Sequence, residues 1–145
     1  MVIGIIGENC TGKSTLANAL QAHISAEIIT GKDYLRLAKS ESEAAARFQE
    51  KMTQAMSDGN IIYVISEKEH IAFLPEGAVR ILVTAELERI QARFRERMHG
   101  NLPAPVEQML ARKHGMFDGG EYDFRFHSGR DDLEAFCREV GERLS

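Results

Sequence analysis

The chain contains 145 residues, of which 43% are hydrophobic and 28% are charged, and its formal net charge is −4. This balance predicts one soluble domain over residues 1–145, and the negative charge argues against nucleic acid or an anionic membrane surface as a partner. No apolar run is long enough to span a membrane, and no export signal is present. With two cysteines and no CxxC motif, the sequence predicts a cytoplasmic protein. We expect it to be a monomer or a homodimer.

Apolar runs and helical patterns alternate along the whole chain. In chain order the predicted elements are a strand at residues 1–6, a helix at 13–24, a strand at 26–29, a helical stretch in two pieces at 31–59, strands at 61–65 and 78–84, a helix at 86–98, a short helix around 106–110, a strand at 122–126 and a last helix at 133–144. The runs at 61–65 and 78–84 show no alternation, which is typical of strands buried on both faces. The run at 122–126 alternates, which predicts one wetter face.

Capping signals refine the ends of two of these helices. Ser40 and Glu43 form a capping-box pattern inside the 31–59 stretch, and Gly59 is a typical stop for the helix that follows. Ser128 and Asp131 are expected to cap the last helix.

The regular alternation predicts an α/β fold. Parallel strands need crossover connections, and helices in those crossovers cover both faces of the sheet. We therefore expect a three-layer α/β/α sandwich with a mostly five-stranded parallel sheet. Ligands in such sheets bind at the carboxyl ends of the strands.

Residues 7–14, GENCTGKS, match the phosphate-loop pattern G-x-x-x-x-G-K-[ST] between a predicted strand and a predicted helix. Glycines let the backbone turn tightly around an anion, and the loop N–H groups and the helix start supply positive potential. Lys13 is expected to reach the outer phosphates, and Ser14 to ligate Mg²⁺. The residues expected to bind the nucleotide are Gly7, Glu8, Asn9, Cys10, Thr11, Gly12, Lys13, Ser14 and Thr15. No N-K-x-D motif is present, which argues against a signalling GTPase.

Together with this loop, three further segments make the chain resemble the nucleoside-monophosphate-kinase-like group of P-loop kinases, which includes adenylate kinases and cytidylate-kinase-like proteins. The segments are IITGKDYLR at residues 28–36, ELERIQARFRERM at 86–98 and EYDFRFHSG at 121–129. The resemblance implies a P-loop NTPase fold that uses ATP and Mg²⁺. It also implies an acceptor-binding helical insert at about 31–59, a lid at about 89–115, and an acceptor contact by Arg36.

Arg89, Arg93 and Arg97 recur every four residues along one row of the 86–98 helix, whereas Arg95 lies on another face. Phosphoryl transfer concentrates negative charge, and a guanidinium pairs two phosphate oxygens at once. We expect the row to close over the transferring phosphoryl group, with Arg89 and Arg93 catalytic and Arg97 contacting substrate. The alternative is a solvated helix face on which the arginines pair with neighbouring glutamates.

Two carboxylates are candidates for the reacting centre. Asp33 follows the second strand and is expected to act in catalysis, by holding Mg²⁺ through water or by serving as general base for a hydroxyl acceptor; the alternative role is a helix cap. Many P-loop proteins end the third strand with a magnesium-binding Asp, but this chain has Ser66 and Glu67 there. Either Glu67 substitutes at longer reach, or Asp33 acts alone. We favour Asp33 because it is shorter and follows a strand end. The expected metal ligands are Ser14, Asp33 and Glu67.

The sequence thus predicts ATP-dependent phosphoryl transfer to a small molecule. A nucleoside monophosphate is the first choice of acceptor, because Lys32 and Arg36 suit an anion. A hydroxylated metabolite is the second choice, with Asp33 as its base. The alternative from another class is a nucleotide-binding module or sensor without efficient turnover, which the short lid and the missing third-strand Asp favour.

Overall fold

The computed structural model describes all residues, 1–145, as alternating strands and helices. Its strands are β1 Val2–Ile6, β2 Glu27–Thr30, β3 Ile61–Ile65, β4 Val79–Thr84 and β5 Phe124–His127. Its α-helices are α1 Lys13–Leu20, α2 Glu41–Ala55, α3 Leu87–Arg97, α4 Ala104–Lys113 and α5 Leu133–Leu144. Two 3₁₀ helices, Gly31–Leu37 and Lys68–Phe73, follow β2 and β3.

The five strands form one parallel sheet in the order β2-β3-β1-β4-β5, as the alternation predicts. β1 lies at the centre, paired with β3 from Val2 opposite Ile61 to Ile6 opposite Ile65. Every residue of β1 and β3 is buried, because helices cover both faces. The edge strand β5 buries Phe124 and Phe126 and exposes Arg125, which confirms its alternating pattern.

Two apolar layers pack against opposite faces of the sheet. On one face, Phe48 and Met52 of α2 pack in a cluster with Ile6 of β1. On the other face, Leu16 of α1 and Phe136 of α5 pack in a cluster with Ile5 of β1. The three-layer α/β/α sandwich is therefore observed.

Three local expectations need correction. The first helix ends at Leu20 and not at residue 24, because the chain turns there towards β2. The first piece of the 31–59 stretch is a 3₁₀ helix, and the 3₁₀ helix after β3 has no counterpart among the predicted elements. The cap of α5 is Asp132, whose carboxylate accepts from the Ala135 N–H at 3.0 Å. Asp131 is unavailable for this role because its carboxylate accepts from the His127 N–H at 2.7 Å.

The Ser40 cap is confirmed, since its hydroxyl accepts from the Glu43 N–H at 3.2 Å at the start of α2. None of the helices combines the length and the apolar character that crossing a bilayer would require.

Candidate phosphate-binding site

The phosphate loop leaves the centre of the sheet and leads directly into α1. The Gly7 N–H donates to the Ile65 carbonyl at 3.1 Å, which extends the β1–β3 pairing by one step. A Cβ at Gly7 would clash with the carbonyl oxygen of Val83, so only glycine fits there. Gly12 has φ of 99°, in the left-handed region that favours glycine. These two backbone requirements give the loop the shape that the motif predicts.

Lys13 lies inside the loop and is only 6% exposed. Its Nζ donates to the Glu8 carbonyl at 2.5 Å, and the Thr11 hydroxyl donates to the same oxygen at 2.9 Å. Burial lowers the pKa of Lys13 to about 8, an effect that Arg97 reinforces and that Cys10 and Glu8 oppose. Burial disfavours the protonated form more than these negative charges favour it, and a bound phosphate would reverse the balance.

Ser14 and Thr15 are exposed at the first turn of α1, next to the loop. Their hydroxyls are therefore accessible to a nucleotide or to its metal ion. Cys10 is buried against the apolar side of the lid, in a small cluster with Ala85, Ile90 and Leu110.

The arginine row of α3 faces the loop. Arg93 donates from Nη1 to the Cys10 carbonyl at 3.1 Å and from Nη2 to the Ser128 hydroxyl at 3.3 Å. The Arg89 guanidinium lies against Gly129, where an added Cβ would be 3.0 Å from Nη1. Burial lowers the pKa of Arg93, and the charge of Arg89 lowers it further. Arg89 and Arg93 therefore concentrate positive charge beside the phosphate loop.

The four cations at this site have no carboxylate partners. No salt bridge in the structure includes Lys13, Arg89, Arg93 or Arg97. Glu86, which a solvated helix face would pair with Arg89, instead pairs with Arg130 at 2.5 Å. The pairing expected of a merely solvated face is therefore absent, and the cations remain available to an anionic ligand.

A cleft of about 100 Å³ opens beside the loop, at the carboxyl end of β3. Its lining combines loop, strand-end and lid residues: Glu8, Asn9, Ser66, Glu67, Met109, Leu110, Lys113 and Met116. Glu67 therefore lies in the cleft next to the phosphate loop. The sequence did not single out Lys113, which enters this cleft from the end of α4.

Asp33 and Arg36 line a different cleft, of about 230 Å³, alongside the edge strand β2. Lys32, Asp33 and Arg36 are all exposed on the 3₁₀ helix that follows this strand. Between these two clefts, the Tyr63 hydroxyl donates to the Gly31 carbonyl at 2.8 Å. Burial raises the pKa of Tyr63, and the charges of Tyr34, Glu67 and Asp33 add to the effect.

His70 is a buried residue at this edge of the sheet that the sequence gave no reason to select. Its ring is 4% exposed, packs among Tyr34, Tyr63 and Phe73, and holds Nε2 at 3.7 Å from the Glu67 carboxylate. Ligand atoms of Glu67, Glu69 and His70 lie within 4.8 Å of one another. His70 is therefore the buried neighbour of Glu67, although its Nδ1 has no hydrogen-bond partner.

Comparison with known proteins gives matches in structure only. No protein-family model matches the sequence, and no curated protein is similar to it. Among solved structures, the chain is similar to a sugar kinase from Janibacter sp. HTCC2649, with 15% identity and a TM-score of 0.66 over 99% of this chain and 93% of that one. It is similar to a shikimate kinase from Acinetobacter baumannii in complex with shikimate, with 13% identity and a TM-score of 0.65 over 99% and 92% of the chains.

A third similar structure is the YorR protein of Bacillus subtilis in complex with phosphorylated GDP, with 21% identity and a TM-score of 0.64 over 99% and 95% of the chains. The TM-scores show a shared fold, whereas sequence identities this low leave the substrate open. The chain therefore has the P-loop kinase fold that the sequence predicts. The similarity does not single out the nucleoside-monophosphate-kinase-like group, because the similar structures include a sugar kinase and a shikimate kinase.

Proposed function

We propose that the protein is an ATP-dependent kinase of a small molecule. The observation that carries this proposal is the set of four cations around the phosphate loop, Lys13, Arg89, Arg93 and Arg97, none of which has a carboxylate partner. Preorganised positive groups aimed at a triphosphate are what phosphoryl transfer requires, because catalysis there is mostly positioning and electrostatic stabilisation.

The nucleotide would bind along Gly7–Thr15, with its outer phosphates between Lys13 and Arg93. Arg89 lies against Gly129 in the loop that follows β5, and the charge of Arg97 lowers the pKa of Lys13, so both arginines of the row would add positive potential around the triphosphate. Mg²⁺ prefers oxygen ligands, which Ser14 at the start of α1 and Glu67 in the adjoining cleft would supply, whereas Asp33 lines the separate cleft beside β2. Mg²⁺, when bound, supplies neutralisation of the phosphate charge.

The position of Glu67 supports a larger role for this residue than for Asp33. Glu67 lines the cleft beside the loop, whereas Asp33 lines the cleft beside β2. We therefore expect Glu67→Gln to lower kcat more than Asp33→Asn, which reverses the order favoured by sequence reasoning. Metal titrations of both variants test this, and a larger loss from Asp33→Asn would restore Asp33 as the principal carboxylate.

Two classes of acceptor are supported by different residues. A hydroxylated metabolite is supported by Glu67, because a carboxylate in the cleft suits a general base for an attacking hydroxyl. A nucleoside monophosphate is supported by Lys32 and Arg36, which are exposed and have no salt-bridge partner. If the acceptor is anionic, Arg36→Ala should raise its KM by about 10- to 150-fold and leave ATP affinity nearly unchanged.

The deciding experiment is an ADP-formation assay over a panel of acceptors that contains nucleoside monophosphates, sugars and hydroxy acids. Lys13→Ala is the matched inactive control, and we expect it to lower the rate by about 10²- to 10³-fold. Acceptor-dependent turnover supports the kinase. ATP binding without turnover for any acceptor would instead identify a nucleotide-binding module, an outcome that the missing third-strand Asp favours.

A further inference from the structure

The carboxylate of Glu8 joins the phosphate loop to the end of the lid. Its Oε1 lies 3.1 Å from His114 Nδ1, and its Oε2 accepts from the Gly115 N–H at 3.1 Å. The side chain is only 10% exposed. A carboxylate this buried is stable only when hydrogen bonds replace its lost hydration. Both of its oxygens are satisfied by the turn that follows α4, across more than 100 residues of sequence.

The main chain of the same residue fixes the loop. The Glu8 carbonyl accepts from Lys13 Nζ and from the Thr11 hydroxyl. The shape of the phosphate loop and the position of the lid turn therefore meet at one residue. A displacement of Glu8 would therefore move both the phosphate loop and the lid turn.

The remaining apolar attachment of the lid is small. Four buried residues form its core, Cys10, Ala85, Ile90 and Leu110, and five partly buried apolar residues pack against them, whereas each face of the sheet has a cluster of 15 buried residues. Polar contacts add to this apolar attachment. α3 is attached by Arg93 to the Cys10 carbonyl, and α4 is attached by Glu8.

The turn held by Glu8 begins directly after Lys113, the only cationic side chain that lines the cleft with Glu67. We propose that Glu8 is a positioning residue whose carboxylate latches the His114–Gly115 turn to the phosphate loop and thereby holds Lys113 at the cleft. The use of Lys113 in catalysis rests on the proposed kinase function. The contacts of Glu8 with this turn exist in the folded protein whether or not it turns over a substrate.

The latch is tested by limited trypsin digestion of the native protein, with cleavage after Arg112 and Lys113 followed by mass spectrometry. A lost hydrogen bond to a buried charge shifts a local opening equilibrium by about tenfold, and proteolysis follows the population of the open form. Glu8→Ala should therefore speed cleavage at these two sites by about tenfold. Glu8→Gln, which keeps an oxygen for the Gly115 N–H, should speed it less.

The matched control is Glu107→Ala, which removes an exposed carboxylate of α4 that forms no salt bridge and no side-chain hydrogen bond. Cleavage after Arg138, on the exposed side of α5, reports global unfolding. The expected result is faster cleavage at Arg112 and Lys113 in Glu8→Ala and in His114→Ala, with an unchanged rate at Arg138. Equal rates in Glu8→Ala and Glu107→Ala would overturn the latch, and so would equal acceleration at every site.

The positioning role is tested separately if the protein turns over an acceptor. Glu8→Ala and Lys113→Ala should each lower kcat/KM for the acceptor by about tenfold, and the double variant should lose no more than either single one. Additive losses would show that Glu8 acts other than through Lys113. The digestion result does not depend on turnover, so failure of the kinase proposal and failure of the latch are distinguishable.

Discussion

The ammonium group of Lys13 illustrates how burial prepares a residue for an anion. It is 6% exposed, its hydrogen-bond partner is the neutral Glu8 carbonyl, and its pKa falls from 10.5 to about 8. In the unfolded chain the lysine is fully hydrated and keeps its ordinary pKa. The folded protein without nucleotide is therefore destabilised by the charge that it needs in order to bind phosphate.

This shift predicts a pH dependence of stability. Between pH 8 and pH 10.5 the unfolded chain retains a proton on Lys13 that the folded chain has released, so the free energy of unfolding rises with pH in this window. The full shift corresponds to about 3 kcal/mol. Below pH 8 both states are protonated, and the gain is absent. Lys13→Met should be more stable than wild type at pH 7 by a similar amount.

Urea unfolding of wild type and Lys13→Met at pH 7, 9 and 10.5 measures this difference. The subtraction removes the effects of other groups that titrate near this range in the unfolded chain, such as Tyr63 and Cys137, whose pKa values burial raises in the folded protein. The gap between the two proteins should close as the pH rises. A gap that stays constant over the window would rule out a depressed Lys13 pKa.

At the level of the element, α3 combines a buried and a cationic side in eleven residues. Ile90 is fully buried beneath the helix, and Arg93 is held between the Cys10 carbonyl and the Ser128 hydroxyl. Residues four positions apart lie on one row of a helix, so Arg89 and Arg97 continue the same side. Arg95 points away and is exposed. Arg95 therefore serves as a control for Arg93 within the same helix.

Arg93→Ala should lower kcat by more than tenfold, because contacts to the transferring phosphoryl group strengthen as charge develops in the transition state. ATP affinity should change less. The melting temperature should fall slightly, since the two hydrogen bonds of Arg93 are lost. Arg95→Ala should leave both kcat and the melting temperature nearly unchanged. Steady-state kinetics and thermal melts of both variants check this; a normal kcat for Arg93→Ala, or equal losses in the two variants, would remove the lid assignment.

At the scale of the whole molecule, strand order determines where the site forms. β1 lies between β3 and β4. The chain first adds β2 and β3 on one side of β1 and then adds β4 and β5 on the other side. This reversal opens a crevice at the carboxyl ends of the central strands, where ligands bind in open α/β sheets. The loop after β1, the end of β3 and the lid after β4 all meet at this crevice.

A ligand that bridges these parts should stabilise the folded state as a whole. At 100 times its dissociation constant, MgATP should add about 2.7 kcal/mol, which corresponds to roughly 5–10 °C in melting temperature for a domain of this size. Removal of Mg²⁺ with EDTA should reduce the shift, and AMP, which lacks the outer phosphates, should give less. Differential scanning calorimetry on wild type and Lys13→Ala provides the measurement. An undiminished MgATP shift in Lys13→Ala would contradict the assigned phosphate site.

Some of these features follow from the sequence because their causes are local. The continuous apolar runs at β1 and β3 predict these strands, since strands buried on both faces are apolar along nearly their whole length. The phosphate loop follows from Gly7 and Gly12, because backbone geometry there excludes any Cβ or requires a left-handed φ. The row of arginines on α3 follows from helical periodicity.

Only the tertiary structure decides which side chains share the crevice. Glu8 meets His114, and Arg93 meets Ser128, through contacts between residues that are 106 and 35 positions apart. Glu67 lies beside the loop and Asp33 does not, because β3 pairs directly with β1 whereas β2 is one strand further out. No local pattern encodes strand order, since it depends on how distant segments pack. The sequence by itself therefore determines the strands, the main helices and the phosphate loop, and packing determines the 3₁₀ helix after β3 and the partners that surround the loop.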